Sequence, residues 1–407
     1  MVLSPSAMEP LFPDKTGPLA DLAIEVFKAS AATAGHVHPV VFREIVDLLR
    51  VVNSYYSNLI EGNPTHPADV MRAAGGQVST EPTKRALELE SIAHIQVQRL
   101  IEERLSAEPE LAVTSPEFLS WIHEQFYNRL PDELRYVTHP TSGEKFEVIP
   151  GVTRERAVEV GMHLGPDPNE LHRFLKRFAE VYDPARLHGH DRLIAAAAAH
   201  HRLLWIHPFL DGNGRVARLA TDAYFRRAGV LGYGLWTISR GLARNSGIYK
   251  QMLAAADSPR RGDFDGRGNL SMGKLRDWCE WFLSICLDQA TYMSGLVQAD
   301  GLRGRLNAYV RLRTEGIARG PDGSPMALRP EARIILLHTV VAGEVARGEF
   351  APLAGRSERA TRLALAQLLN DGLLKSDTPK GNVRLGFPPH SLPYLFPELI
   401  PPPPART

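Results

Sequence analysis

From Val41, apolar residues recur at Ile45, Leu48, Val52, Tyr55 and Leu59, alternating steps of four and three that predict one amphipathic helix. Gly62, Asn63 and Pro64 supply its stop signal. Further helices are predicted over 84–105 and, after Ser115 and Pro116, through Trp121 and Phe126. Helical pattern returns over 169–182, and from Asp191, read as an N-cap, through five consecutive alanines to Trp205 and Ile206. It continues over 215–228, 246–255 and 274–296. Between 136 and 160 the pattern changes. Turns at Thr141-Ser142-Gly143 and Pro150-Gly151 flank β-prone pieces at 145–149 and 157–160, which predict a hairpin. The stretch 259–269, rich in Gly, Arg and Asp, reads as a mobile loop, and 316–325 as a linker. Beyond it, helices at 332–346 and 358–370 meet at a turn with Ser357 as N-cap, the second turning Ala360, Leu363, Ala364, Leu368 and Leu369 inward. Leu373 to Lys375, a turn at 379–382 and Val383 to Leu385 complete a helix-turn-helix with a two-stranded wing.

A chain of 407 residues exceeds one ordinary core, so several domains are expected. The pattern suggests an N-terminal helical region (1–110), a central helical core (111–257), a helical extension and linker (258–322) and the winged module (323–400). A hydrophobic content of 44% with 23% charged residues describes a folded, soluble protein, and a formal charge of +1 is neutral on nucleic acid. Cys279 and Cys286, seven apart, suit one helix face as buried reduced thiols in a reducing compartment. The start, Met1-Val2-Leu3-Ser4-Pro5, lacks the basic and apolar regions of a signal peptide. No apolar run is long enough to span a bilayer, so a cytoplasmic, membrane-free protein is expected. The prolines at 401–404 read as a frayed tail.

Chemistry concentrates in residues 207–218, His-Pro-Phe-Leu-Asp-Gly-Asn-Gly-Arg-Val-Ala-Arg. His207, at the C-terminal edge of a helix, could accept a proton from a hydroxyl at neutral pH. Gly212, Asn213 and Gly214 form a turn entering the next helix, where free N–H groups and the positive dipole end suit phosphate. Arg215 and Arg218, three apart on one face, imply more than one phosphate. Asp211 could hold Mg²⁺ on those phosphates. Phe209 is expected to anchor the loop in the core.

This segment resembles the signature of the Fic family, His-x-Phe-x-Asp/Glu-Gly-Asn-Gly-Arg-x-x-Arg, at every specified position. The resemblance implies a mainly α fold with a β-hairpin flap, and transfer of AMP from ATP to a hydroxyl side chain (Ser, Thr or Tyr) of a target protein. By position, His207 would deprotonate that hydroxyl and Asp211 would hold Mg²⁺ on the α- and β-phosphates. Gly212, Asn213 and Gly214 would form the anion hole, Arg215 would serve the β-phosphate side and Arg218 would reach the γ-phosphate. Glycine at 214 favours nucleotidyl transfer over the kinase-like Doc branch, which carries Lys there. The run Pro150 to Arg154 followed by Val158 to Gly161 resembles the family's flap, with Val158 and Val160 facing the target segment. Tyr249 falls where relatives place an aromatic near adenine.

The string Ser57-Asn58-Leu59-Ile60-Glu61-Gly62 resembles the family's inhibitory motif, Ser/Thr-x-x-x-Glu-Gly/Asn. A carboxylate at a helix C-terminus is disfavoured by the dipole, so a cation is expected to meet Glu61. The resemblance names Arg218, which implies a self-restrained enzyme. Self-modification and a homodimer fit the same picture. Alternatives are an enzyme that also removes AMP, with Glu61 positioning water, one that uses another nucleotide, and a nucleotide-sensing transcriptional regulator. The winged module resembles that of many Fic proteins of this class. Its Arg356, Arg359, Arg362, Lys380 and Arg384 could touch DNA, whereas near-neutral charge favours docking of protein.

Overall fold

Proline opens each of the first five α-helices: α1 (Pro18–Gly35), α2 (Pro39–Ile60), α3 (Pro67–Ala74), α4 (Pro82–Ala107) and α5 (Pro116–Tyr127). The ring presets φ at a position whose N–H would have no intrahelical partner. Side chains of His38, His66, Glu81 and Ser115 accept the next free N–H groups of α2 to α5. The computed structural model describes residues 4–139, 142–161 and 163–401. Met1, Val2, Leu3, Thr141, Pro402, Pro403 and Pro404, which figured in the expected start, turn and tail, lie outside the described residues.

Two small antiparallel hairpins follow, β1 (Tyr136–Thr138) with β2 (Lys145–Glu147), and β3 (Glu159–Val160) with β4 (His163–Leu164). The two β-prone pieces therefore do not pair with each other: each folds back on a nearer partner, in the second case across Gly161 at φ 63°. The helical core continues with α6 (Leu171–Tyr182), α7 (Asp191–Ile206), α8 (Asn213–Arg227), α9 (Ile238–Arg244), α10 (Ser246–Ala256), α11 (Met272–Val297) and α12 (Ala299–Thr314). Asp191 is not the N-cap of α7. It is the first helical residue, and its carboxylate pairs with Lys15 Nζ at 3.0 Å. The Gly-rich loop at 259–269 is organised by Asp265, which accepts from Arg261 N, Gly273 N and Ser271 Oγ. Cys279 and Cys286 are buried free thiols on α11.

The C-terminal module runs α13 (Ala332–Ala342), β5 (Glu344–Val345), α14 (Phe350–Ala354), α15 (Glu358–Asn370), β6 (Leu374–Lys375), β7 (Val383–Leu385) and α16 (Leu392–Leu395), with β7 central in a three-stranded antiparallel sheet. The first of these helices stops short of 346 because Gly343, at φ 78°, turns the chain into β5. Ser357 caps α15 as expected, but its buried face is Thr361, Ala364, Leu365 and Leu368, and Leu363 is exposed. One cluster of buried apolar side chains runs from Ala7 through α2, α5, α7, α8 and α11 to Leu399, so module and core share an interior. Among the described residues, no helix is long and apolar enough to cross a membrane.

Candidate active site

The α7–α8 turn presents the motif. His207 ends α7 in the left-handed region (φ 50°, ψ 62°), where its backbone N–H still closes on Leu203 O at 3.0 Å. A non-glycine residue in that conformation is strained and must be held. Arg154, 3% exposed, does much of the holding. Its Nε donates to His207 O at 2.7 Å, its Nη2 to Pro166 O at 2.7 Å, and its backbone N–H to Pro208 O at 2.9 Å. Burial pulls the His207 imidazole down to about 4, against the Leu204 carbonyl that favours its charged form. At neutral pH His207 is therefore an uncharged, proton-accepting ring.

Asn213 shapes the turn with its side chain, accepting from Phe209 N at 2.9 Å and donating to Phe209 O at 2.8 Å. Phe209 is buried and stacks on His123, ring centres 4.1 Å apart. His123 Nδ1 accepts from Gly151 N at 2.9 Å, so its proton sits on Nε2, which donates to Asp211 O at 3.3 Å. Gly212 adopts φ 78°, and a Cβ there would lie 2.7 Å from the Tyr127 ring.

Asp211 accepts from Tyr127 Oη at 2.7 Å and from Arg215 at 3.0 Å. Burial would raise its carboxyl, but the Arg215 charge and the Tyr127 hydroxyl outweigh that and hold it below its usual range. Arg215 gives its other terminal nitrogen to Glu90 on α4. Arg218 is 1% exposed and held by the end of α2: Nε donates to Ser57 Oγ at 2.9 Å, and Nη2 to Ser57 O at 3.1 Å and Glu61 Oε1 at 2.5 Å. Burial opposes ionisation of Glu61, but Arg218 and then Arg215 overcome it, so the carboxyl titrates below its usual range. Gly214 makes room for this contact, since a Cβ at 214 would collide with Glu61 Oε1.

Glu61 reaches Arg218 because α2 ends in a Schellman turn. Asn63 N bonds Asn58 O at 2.9 Å, Gly62 N bonds Leu59 O at 3.1 Å, and Gly62 takes φ 91°. The structure thus brings Ser57, Glu61, Asp211, Gly212, Asn213, Gly214, Arg215 and Arg218 together, with His207 at the head of the same turn. Tyr249 is not on an open wall of the site. It is 2% exposed, its hydroxyl 2.8 Å from His200 Nε2, and burial pushes the phenol up to about 12. In the β3–β4 hairpin Val160 is 45% exposed, while Val158 is half-buried and its carbonyl accepts from Gly165 N. His163 ties that hairpin to α7 through Trp205 O at 2.7 Å.

Sequence reasoning missed Glu90, His123, Tyr127 and His163, and gave Arg154 no role. Glu90 left a legible trace: it interrupts the apolar stripe Ala86, Ala93, Val97, Ile101 at a helical step, and an acid there must find a cation. His123, Tyr127 and His163 show little local signal, because their hydrogen-bond partners are 28 to 88 residues away.

Residues 113–225, from just before α5 to the last turn of α8, match the sequence profile of the Fic/DOC family. A protein adenylyltransferase Fic of Nematostella vectensis is 30% identical over 179 residues, 43% of this chain and 37% of that protein. One of Drosophila erecta is 38% identical over 79 residues, 19% of this chain and 16% of that protein. The chain thus spans well under half the length of these curated relatives. The fold resembles that of a Fic family protein from Desulfovibrio desulfuricans, with a TM-score of 0.51 at 16% identity, covering 92% of this chain and 97% of that one. It also resembles Fic-1 from C. elegans, with a TM-score of 0.52 at 17% identity over 69% and 73% of the two chains. With the profile, the curated relatives and the fold in agreement, the chain carries a Fic/DOC domain built on α5 to α8.

Proposed function

We propose that this chain is a protein adenylyltransferase, using ATP and Mg²⁺, whose own α2 holds it inactive. The observation that carries the reading is Arg218, a motif cation with no exposed surface to offer a phosphate while Ser57 and Glu61 occupy it. In the transfer, the target hydroxyl attacks the α-phosphorus of ATP, the bond to the bridging oxygen breaks and pyrophosphate leaves. His207, uncharged at neutral pH, takes the hydroxyl proton. Backbone N–H groups at Gly212 to Gly214, with Arg215 and Arg218, would bind the phosphates. Asp211 fits Mg²⁺, which commonly takes one carboxylate and fills its shell with phosphate and water oxygens. Its carboxylate is 45% exposed, and no group of three or more His, Cys, Asp or Glu suited to a metal occurs among the described residues. The ion would neutralise phosphate charge.

The exposed edge of the β3–β4 hairpin, bearing Val160, is a docking strip for the target backbone. For the C-terminal module, a protein-facing role is better supported than DNA binding, because Arg384 is already held by Glu44 and Asp377.

Labelled ATP tests the reading. Replacing Glu61 by Gly frees a charge-assisted contact and should raise transfer, self-modification included, by about tenfold or more. Adding His207→Ala should abolish it. Equal activity of Glu61→Gly and the unaltered protein would overturn the restraint, and mass spectrometry of the product reports whether the added group is AMP.

A further inference from the structure

Glu61 is not the only carboxylate from the N-terminal helices that holds a motif arginine. Glu90, 4% exposed on α4, receives Arg215 Nη1 on Oε1 and Asn63 Nδ2 on Oε2, the latter at 2.8 Å. Asn63 lies two residues after Glu61, in the Schellman turn that aims it. Its amide also donates to Leu87 O at 3.1 Å, and its Oδ1 accepts from Thr65 N and Thr65 Oγ1. The inhibitory turn is therefore latched to α4 through Asn63. Arg215 is also held by Asp211 at 3.0 Å and by the Phe126 ring, 5.3 Å from the guanidinium carbon. The contacts close a loop from Arg215 through Glu90, Asn63 and Glu61 to Arg218, and α8 returns to Arg215.

We infer that Glu90 is a positioning residue that sets the Arg215 guanidinium for phosphate and couples it to the inhibitory turn, so that one carboxylate serves both the phosphate site and its restraint. This rests on the adenylyl-transfer reading for the role of Arg215, whereas the mechanical link to Asn63 stands on geometry alone. With Glu90 present, Arg215 is shared between two carboxylates. Without it, Asp211 becomes the sole anionic partner and competes with any incoming phosphate for the same guanidinium. Asn63 would also lose its charged acceptor, leaving Leu87 O as its remaining anchor on α4.

The variants Glu90→Gln and Asn63→Ala separate the two arms. In a Glu61→Gly background, calorimetry with ATP and Mg²⁺ should show Glu90→Gln weakening nucleotide binding about tenfold, while Asn63→Ala leaves it within about twofold. With Glu61 intact, both variants should speed amide hydrogen exchange at residues 61–65. ATP affinity unchanged by Glu90→Gln, or loop exchange unchanged by it, would overturn the inference. A Glu61→Gly protein that bound no ATP, while loop exchange still responded to Glu90→Gln, would sink the adenylyl-transfer reading and uphold the link from Glu90 to the inhibitory turn.

Discussion

At the scale of single residues, the site is built from histidines kept uncharged. His94 and His200 are buried and held down to about 3, and His123 and His207 to about 4, burial being the first cause in each. His200 is bonded at both ring nitrogens: Thr221 Oγ1 donates to Ala217 O, so it accepts from His200 Nδ1, and Nε2 lies 2.8 Å from the Tyr249 hydroxyl. The consequence for stability has a definite sign. An unfolded chain takes protons on these rings near pH 6.5, while the native chain refuses them until pH 3–4. Stability is thus fully present above pH 6.5 and falls as pH drops toward 4, each deeply buried histidine contributing up to about 1.4 kcal/mol per pH unit. Thermal melts between pH 7.5 and 4.5 check this, and a melting temperature flat across that range would contradict it.

At the scale of elements, the packing of α2 decides how the proposed restraint would be relieved. Every residue from Val51 to Asn58 is buried, on all faces of the helix, against α4, α8, α9 and the tail. A helix enclosed on all sides does not swing out at modest cost. Release of Arg218 must then be local, through the Glu61 side chain or the turn that carries it. Gly62→Ala probes that turn: φ 91° costs a non-glycine residue about 1–2 kcal/mol, although no atom lies within 4 Å of the added Cβ. Denaturant melts should show that loss, and basal transfer should rise as Glu61 loses its aim. A stability loss without any gain in transfer would mean that Glu61 holds Arg218 independently of the turn. The sequence pattern made α2 legible, from its alternating fours and threes and its Gly62 stop, and made legible the motif that faces it. It could not disclose the polar seam behind the helix, where Asn53 bonds both Gln98 and Asp222, or Ser54 bonds Ser91 O. Those residues read as ordinary polar positions until α4 and α8 supply their partners. Strand pairing was illegible for a related reason, because strands of two or three residues carry too little alternation to fix their partners.

At the scale of the whole molecule, α2 is clasped between the Fic/DOC domain and the C-terminal module. Near the start of α2, Glu44 is 6% exposed and takes Lys375 and Arg384 at 2.6 Å each, from β6 and β7. The tail closes over the other end. Tyr56 Oη donates to Leu399 O at 3.2 Å, and Pro401 O lies 3.0 Å from His66 Nε2. The module is in turn anchored by a buried pair, Arg313 on α12 with Asp371 after α15, at 2.6 Å. Two cations share the one buried Glu44 carboxylate, so its loss unties α2 from both strands at once, leaving Arg384 to Asp377 and the half-exposed Lys375 to solvent. Glu44→Ala should therefore cost about 1–3 kcal/mol by chemical denaturation. Lys375→Ala should cost less, because that side chain is 47% exposed and Arg384 would still hold Glu44. If α2 is positioned from both sides, Glu44→Ala should also raise basal transfer, although it lies nearly five helical turns from Glu61. Equal destabilisation with basal transfer unchanged would show that the contacts of α2 with α4 and α8 alone hold Glu61 on Arg218, and that the C-terminal module grips the helix without governing it.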